Sequence, residues 1–264
     1  MPIRVQSRIF SYDRVSNART FAMYSIEPLA LPHDCPSDVS LWRVDFAFDA
    51  SLEDAAFASL SDDERARAAT FRRHEDVLRF ASVRAALREQ LARYLGMAAH
   101  AVRFKLDANR RPHLADSHSL DFNVSHAGSH GLIAMSSKRR VGVDIERLND
   151  SFDWRSIVTL TLDASEAAWI ERLDVEQQLA AFYDAWVAKE ALVKTTGVGI
   201  TRGLQHLTVL PRDSMQVTLC NEIPDDMREI AARWIAVPDG YSACVAWSTV
   251  AHHTRRLTLQ TPTL

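Results

Sequence analysis

Apolar residues recur at every second position in several stretches of the chain. Trp42, Val44, Phe46 and Phe48 are separated by Arg43, Asp45 and Ala47, which predicts a strand over residues 41–48. Shorter strands are predicted at 102–106, 122–126, 132–135 and 141–146, and in the last part of the chain at 207–210, 215–219, 235–237 and 244–247. Asn109-Arg110-Arg111-Pro112 and Pro238-Asp239-Gly240 read as turns. Helical signals interrupt these strands. Ser61 and Glu64 form a capping box that opens one helix, and a second runs from about residue 75 to 95 and stops at Gly96. Asp163-Ala164-Ser165-Glu166 repeats the capping pattern. The helix that follows carries Phe182, Ala185, Trp186, Lys189 and Val193 on one stripe and ends at Gly197. Residues 1–38 lack such a pattern and contain Pro28, Pro32 and Pro36, so an N-terminal lead that wraps or frays is expected.

The pattern gives an α+β chain with antiparallel strands, and a weak repeat divides it. Leu60-Ser61-Asp62-Asp63-Glu64 resembles Leu162-Asp163-Ala164-Ser165-Glu166, and Arg84-Ala85-Ala86-Leu87 resembles Lys189-Glu190-Ala191-Leu192. Two related α/β halves, 39–138 and 139–264, joined near Lys138-Arg139-Arg140, are expected; chance similarity between two Ala-rich helices is the alternative. Ala85 stands where Glu190 stands, so related halves would share one site per chain.

Composition narrows the function. The 264 residues are 47% hydrophobic and 25% charged, enough for one large domain or two small ones. A net charge of -3 argues against general nucleic-acid binding, which needs an excess of Lys and Arg. Cys35, Cys220 and Cys244 are widely spaced and form no metal or disulfide pattern, so reduced thiols in a cytoplasmic protein are expected. No apolar run approaches a membrane span and no secretory signal is visible; Arg4, Arg8, Arg14 and Arg19 leave an organelle transit peptide as the lesser alternative.

Candidate chemistry lies in two stretches. In Val141-Gly142-Val143-Asp144-Ile145-Glu146 the apolar residues take one face of a half-buried strand, which leaves Asp144 and Glu146 together on the other. Two carboxylates at that spacing suit one hard cation such as magnesium. About forty residues on, Glu190 and Lys194 are one turn apart on the helix. Taken singly, a D-x-E strand is more often a solvated face and an E-x-x-x-K pair a surface ion pair. Arg67, Arg72, Arg73, Arg79, Arg84 and Arg88 crowd the first half, where arginine forks could meet phosphate. A strand ending in Ser125-His126-Ala127-Gly128 would expose a hydroxyl, an imidazole and backbone donors together.

The conjunction of Val141-Gly142-Val143-Asp144-Ile145-Glu146 with Trp186-Val187-Ala188-Lys189-Glu190-Ala191-Leu192-Val193-Lys194 resembles the signature of the 4'-phosphopantetheinyl transferases, of the larger, Sfp-like type. The resemblance covers residues 61–199. It implies a pseudo-dimer of two α/β halves with a single active site in the cleft between them. It also implies transfer of the phosphopantetheine arm of coenzyme A to a serine of an apo acyl, peptidyl or polyketide carrier domain, with magnesium, by a monomer. Residue by residue, it implies that Asp144, Glu146 and Glu190 hold the metal, that Glu190 takes the serine proton, and that Lys194 meets the leaving phosphate. It further implies that Ser125, His126 and Lys189 bind the pyrophosphate, that Arg79 adds a cation, that Arg67 reaches the 3'-phosphate, and that Arg111 and Pro112 contact the adenine and phosphate end. Glu64, Phe80 and Val187 depart from the usual residues of the family. Two rival functions share these residues: a metal-dependent phosphohydrolase acting on a coenzyme A-like pyrophosphate, and a non-catalytic coenzyme A-binding protein.

Overall fold

A computed structural model describes residues 23–116, 120–197, 203–219 and 227–251. The first sheet is built from β1 (Tyr24–Leu29), β2 (Val39–Phe46), β5 (Asp121–Ala127) and β6 (His130–Ser136), all antiparallel, in the order β1-β2-β6-β5. Between β2 and β5 the chain forms α1 (Asp62–Ala68), the long α2 (His74–Leu95) and a small hairpin of β3 (Phe104–Leu106) and β4 (Pro112–Leu114). Val83, Leu87 and Leu91 of α2 pack on Val44, Phe122 and Ile133 of that sheet. The second sheet has the order β7-β10-β9-β8, from β7 (Val141–Arg147), β8 (Gln216–Val217), β9 (Ile230–Trp234) and β10 (Tyr241–Ser248). Its helices are α3 (Val158–Thr161), α4 (Ala164–Ile170) and α5 (Val175–Thr196), and Phe182, Ala191 and Leu192 of α5 pack on Trp234, Cys244 and Ala246.

The faces turned away from the long helices share a third apolar cluster, in which Leu41, Leu132 and Ala134 of the first sheet meet Val141, Val143, Ile145 and Val245 of the second. Strand β7 is therefore covered on both sides. The half-buried strand expected there has its apolar face as predicted, but α5 covers the carboxylate face and leaves Asp144 only 2% exposed. The close fit depends on Gly142, because a Cβ at that position would lie 2.2 Å from the Ala191 carbonyl oxygen.

Both long helices end where capping chemistry puts them, and the capping boxes open the two short helices α1 and α4. Gly96 and Gly197 adopt left-handed conformations (φ 68° and 74°) that close α2 and α5. The capping boxes at Ser61/Glu64 and Asp163/Glu166 are both formed. Elsewhere the chain departs from the pattern. Tyr24–Leu29, within the expected lead, forms an edge strand registered on β2 from Tyr24↔Phe46 to Leu29↔Leu41. Residues 207–210 form no ladder strand, because the Val209 and Leu210 amides donate to Glu166 Oε1 at 2.7 and 3.2 Å. The strand expected at 235–237 runs instead over Ile230–Trp234, where Ile230, Ala232 and Trp234 alternate against β10. Cys220 and residues 1–22 lie outside the described residues.

Candidate active site

The two sheets meet along β5 and β7 through side chains rather than a backbone ladder. Asp121, Asn123 and Ser125 are spaced by two on β5 and so point to the same side. Asp121 Oδ2 accepts the Val141 amide at 2.8 Å, Asn123 Oδ1 accepts the Val143 amide at 2.9 Å, and Ser125 Oγ donates to Asp144 Oδ1 at 2.7 Å. A hydroxyl from the first half thus orients a carboxylate of the second. The same Asp144 oxygen accepts Lys194 Nζ of α5 at 2.6 Å. Asp144 Oδ2 is buried and has no hydrogen-bond partner among the described residues.

Glu146, two residues along β7, and Glu190, on α5, complete the acidic group. Burial and the Asp144 charge, aided by Glu190 and opposed by Lys194, push the Glu146 carboxyl up to about 7. Burial raises Glu190 as well, with Lys194 opposing and Asp144 adding to the effect. Burial disfavours the charge on Lys194, but Asp144, Glu190 and Glu146 outweigh it and hold the ammonium above its ordinary range. Among the described residues no three acidic, imidazole or thiolate groups are gathered closely enough to hold a metal ion. The single unpartnered oxygen of Asp144, beside two carboxylates that resist ionisation, is the feature that fits a hard divalent cation.

A cleft of about 880 Å³ opens beside this group, lined by Phe71, Asp76, Arg79 and His126 of the first half and by Glu146 and Arg147 of the second. Arg79 donates through Nε to the Gly128 carbonyl at 2.6 Å, pairs with Asp76, and lies 5.3 Å from the Phe48 ring centroid. His126 is exposed at the cleft wall. Arg67 is exposed on α1, with its guanidinium 5.2 Å from the centroid of the cleft-lining Phe71. Pro112 opens β4 opposite Leu106 and is half-buried.

Two residues expected at the phosphates are turned elsewhere. Lys189 is fully buried, pairs with Glu166 and donates to the Thr161 carbonyl at 2.8 Å. It sits one position before Glu190, so the turn of the helix that presents Glu190 to β7 sends Lys189 into the interior toward α4. Arg111 directs its guanidinium to Asp121 and to backbone carbonyls. The departure at Glu64 also has a structural account: its carboxylate closes the α1 capping box and meets Arg88 Nε at 2.7 Å and Arg84 Nε at 3.5 Å.

Family models match both parts of the chain, with the 4'-phosphopantetheinyl transferase superfamily over residues 140–246 and the 4'-phosphopantetheinyl transferase N-terminal model over residues 50–138. A putative 4'-phosphopantetheinyl transferase of Synechocystis is 31% identical over 202 residues, 73% of this chain and 80% of that protein. The 4'-phosphopantetheinyl transferase HetI of Nostoc is 35% identical over 169 residues, covering 62% and 71% of the two chains. The chain belongs to the 4'-phosphopantetheinyl transferase superfamily. A 4'-phosphopantetheinyl transferase of Bacillus subtilis is similar over a comparable span, at 25% identity over 202 residues, 76% of this chain and 88% of that one.

In this transferase some site-building residues escaped the sequence reading. Asp121 was missed altogether, and Asn123, which the resemblance places in the phosphate-holding segment, instead accepts the Val143 amide; the signal for both was the period-two polar run Asp121, Asn123, Ser125. Glu166 was visible only as a cap; nothing in the sequence shows that its carboxylate also reaches Lys189 and two backbone amides. Among the described residues no helix is long and apolar enough to cross a membrane.

Proposed function

We propose that this transferase moves the 4'-phosphopantetheine arm of coenzyme A onto a serine hydroxyl of an apo acyl, peptidyl or polyketide carrier domain, in a magnesium-dependent reaction that releases adenosine 3',5'-bisphosphate. The observation that carries the reading is the unpartnered, buried Oδ2 of Asp144, whose charge is felt by both Glu146 and Glu190, with Glu146 lining the cleft between the sheets. Each sheet bears one long helix, and only the second helix has a carboxylate at the position of Glu190, which supports a pseudo-dimer with one active site.

Asp144 would hold the magnesium ion, with Glu146 and Glu190 drawn in from the positions described above, and the ion when bound would neutralise charge on the pyrophosphate. The chain's own residues do the rest. Arg79 and His126 line the cleft and receive the phosphates, with Arg67 at its rim for the 3'-phosphate. Ser125 fixes the rotamer of Asp144 through one oxygen and leaves the other free. The serine oxygen of the carrier attacks the phosphorus that bears the pantetheine arm, the bond from that phosphorus to the bridging oxygen breaks, and Glu190 accepts the serine proton. Burial raises the proton affinity of Glu190, which is the direction a general base needs. Lys194 lies where its ammonium can exchange Asp144 for the departing phosphate.

The test is incubation with coenzyme A, magnesium and a panel of apo acyl, peptidyl and polyketide carriers, followed by weighing each carrier. A mass gain of one phosphopantetheine on a carrier serine is expected. Free phosphopantetheine with every carrier unchanged would contradict the reading and point to a hydrolase.

A further inference from the structure

We infer that Arg111 is a positioning residue, whose guanidinium ties the site-bearing strand β7 and helix α5 of the second half to β5 of the first. The inference rests on the transferase reading above only for its kinetic test. Arg111 Nη2 donates to Asp121 Oδ2 at 2.9 Å, to the Phe122 carbonyl at 3.0 Å and to the Val141 carbonyl at 2.9 Å, while Nη1 donates to the Lys194 carbonyl. One planar guanidinium therefore joins three elements, with the side chain 10% exposed. A phosphate or adenine ring could take these donors only by breaking that set and leaving buried carbonyls without partners.

The side chain is aimed by its own turn. Asp107 Oδ1 accepts the amides of Asn109 and Arg111, both at 2.9 Å, and Arg110 between them adopts a left-handed conformation (φ 63°). From the same turn Asn109 Nδ2 donates to the Gly197 carbonyl at 2.6 Å. The β3–β4 turn thus covers the C-terminal carbonyls of α5, where a cation opposes the negative end of the helix dipole. Asp121 closes the arrangement by accepting both Arg111 and the Val141 amide through Oδ2.

The consequence falls on the reacting groups. Val141 is three residues before Asp144, and the carbonyl bound by Arg111 on α5 belongs to Lys194 itself. Loosening these contacts moves both members of the Lys194–Asp144 pair relative to Ser125, which belongs to β5. Lysine cannot replace the fork, because a compact ammonium does not span acceptors on three elements.

The test uses Arg111→Lys and Asp121→Asn in the full chain, with three measurements: kcat and the KM for coenzyme A in carrier loading, and amide hydrogen exchange over residues 141–147 and 190–197. Both variants are expected to lose about tenfold or more in kcat, since small misplacements at a reacting centre are costly, while the KM for coenzyme A changes by less than about threefold. Both are also expected to exchange faster in those two segments than the parent. A tenfold rise in that KM at parental kcat for Arg111→Lys, with Asp121→Asn behaving as the parent, would overturn the inference and make Arg111 a nucleotide contact, and so would parental exchange in both variants. If the parent loads no carrier, the transferase reading fails instead, and exchange alone decides whether Arg111 holds β7 and α5. Should Arg111→Lys not fold, Asp121→Asn carries both readouts.

Discussion

Replacing Gly142 by alanine inserts one methyl group where β7 and α5 touch. The added Cβ would lie 2.2 Å from the Ala191 carbonyl oxygen, 2.5 Å from Thr195 Oγ1 and 2.7 Å from the Thr195 amide nitrogen. Two of these neighbours are helix backbone, and the third is a hydroxyl already donated to the Ala191 carbonyl at 2.8 Å, so no rotamer change clears the space. Restoring an ordinary carbon–oxygen separation of about 3.3 Å requires α5 to retreat by about 1 Å. Overpacking of this kind costs about 1–3 kcal/mol of stability. The larger effect is on chemistry: the retreat carries Glu190 and Lys194 away from Asp144 and Glu146, and a shift of about 1 Å at a reacting centre can reduce turnover about a hundredfold. The assays are initial rates of carrier loading and urea denaturation of the same preparation. A Gly142→Ala enzyme that loads a carrier at the parental rate with parental stability would refute the reasoning, because the helix could not then be seated on the strand at that point.

Three further outcomes follow from particular contacts. Lys189→Met leaves Glu166 buried without its cation and should cost about 3–5 kcal/mol in urea denaturation; unchanged stability with weakened coenzyme A binding would return Lys189 to the pyrophosphate. Glu190→Gln keeps an oxygen ligand but loses the proton acceptor, so carrier loading should fall far more than coenzyme A affinity, and a parental loading rate would exclude Glu190 as the base. Burial works against the charge of Asp38, but bonds from Ser136 and Arg139 outweigh it and hold the carboxyl below its ordinary value. Its contribution is therefore fully present above the unfolded value of about 3.9 and is lost as pH falls through the lower folded value. The stability gap between the parent and Asp38→Asn should thus be constant near neutrality and close in acid, and a gap that stays constant into acid would show that Asp38 gains nothing from its partners.

The fold was readable where a local signal decides the outcome. Capping boxes, the glycines that end α2 and α5, and the alternation in β2, β5 and β7 all act over a few residues, and the structure forms each of them close to its expected place. What the sequence hid depends on partners distant along the chain. The amides of Val209 and Leu210 could have joined a strand, but a carboxylate from residue 166 accepts them first. Tyr24–Leu29 has little pattern of its own and is a strand because β2 offers an open edge. The site shows the same division. Asp144 with Glu146, and Glu190 with Lys194, were visible by spacing, and Lys194 pairs with Asp144, whereas the separate destinations of Lys189 and Glu190 depend on which elements pack on each side of α5. Burial of the carboxylate face was equally hidden, since a strand that alternates apolar and acidic residues reads as half solvated until a helix is found on it.

The most direct test of the central claim is product stoichiometry. With an accepted apo carrier, coenzyme A and magnesium, intact-mass spectrometry of the carrier and chromatography of the nucleotide products are followed in one reaction. The account predicts one phosphopantetheine gained on the carrier serine for each adenosine 3',5'-bisphosphate released, with both products abolished by a chelator and restored by added magnesium. Nucleotide release that continues while the carrier keeps its apo mass, or loading that proceeds at full rate in the presence of the chelator, would contradict it.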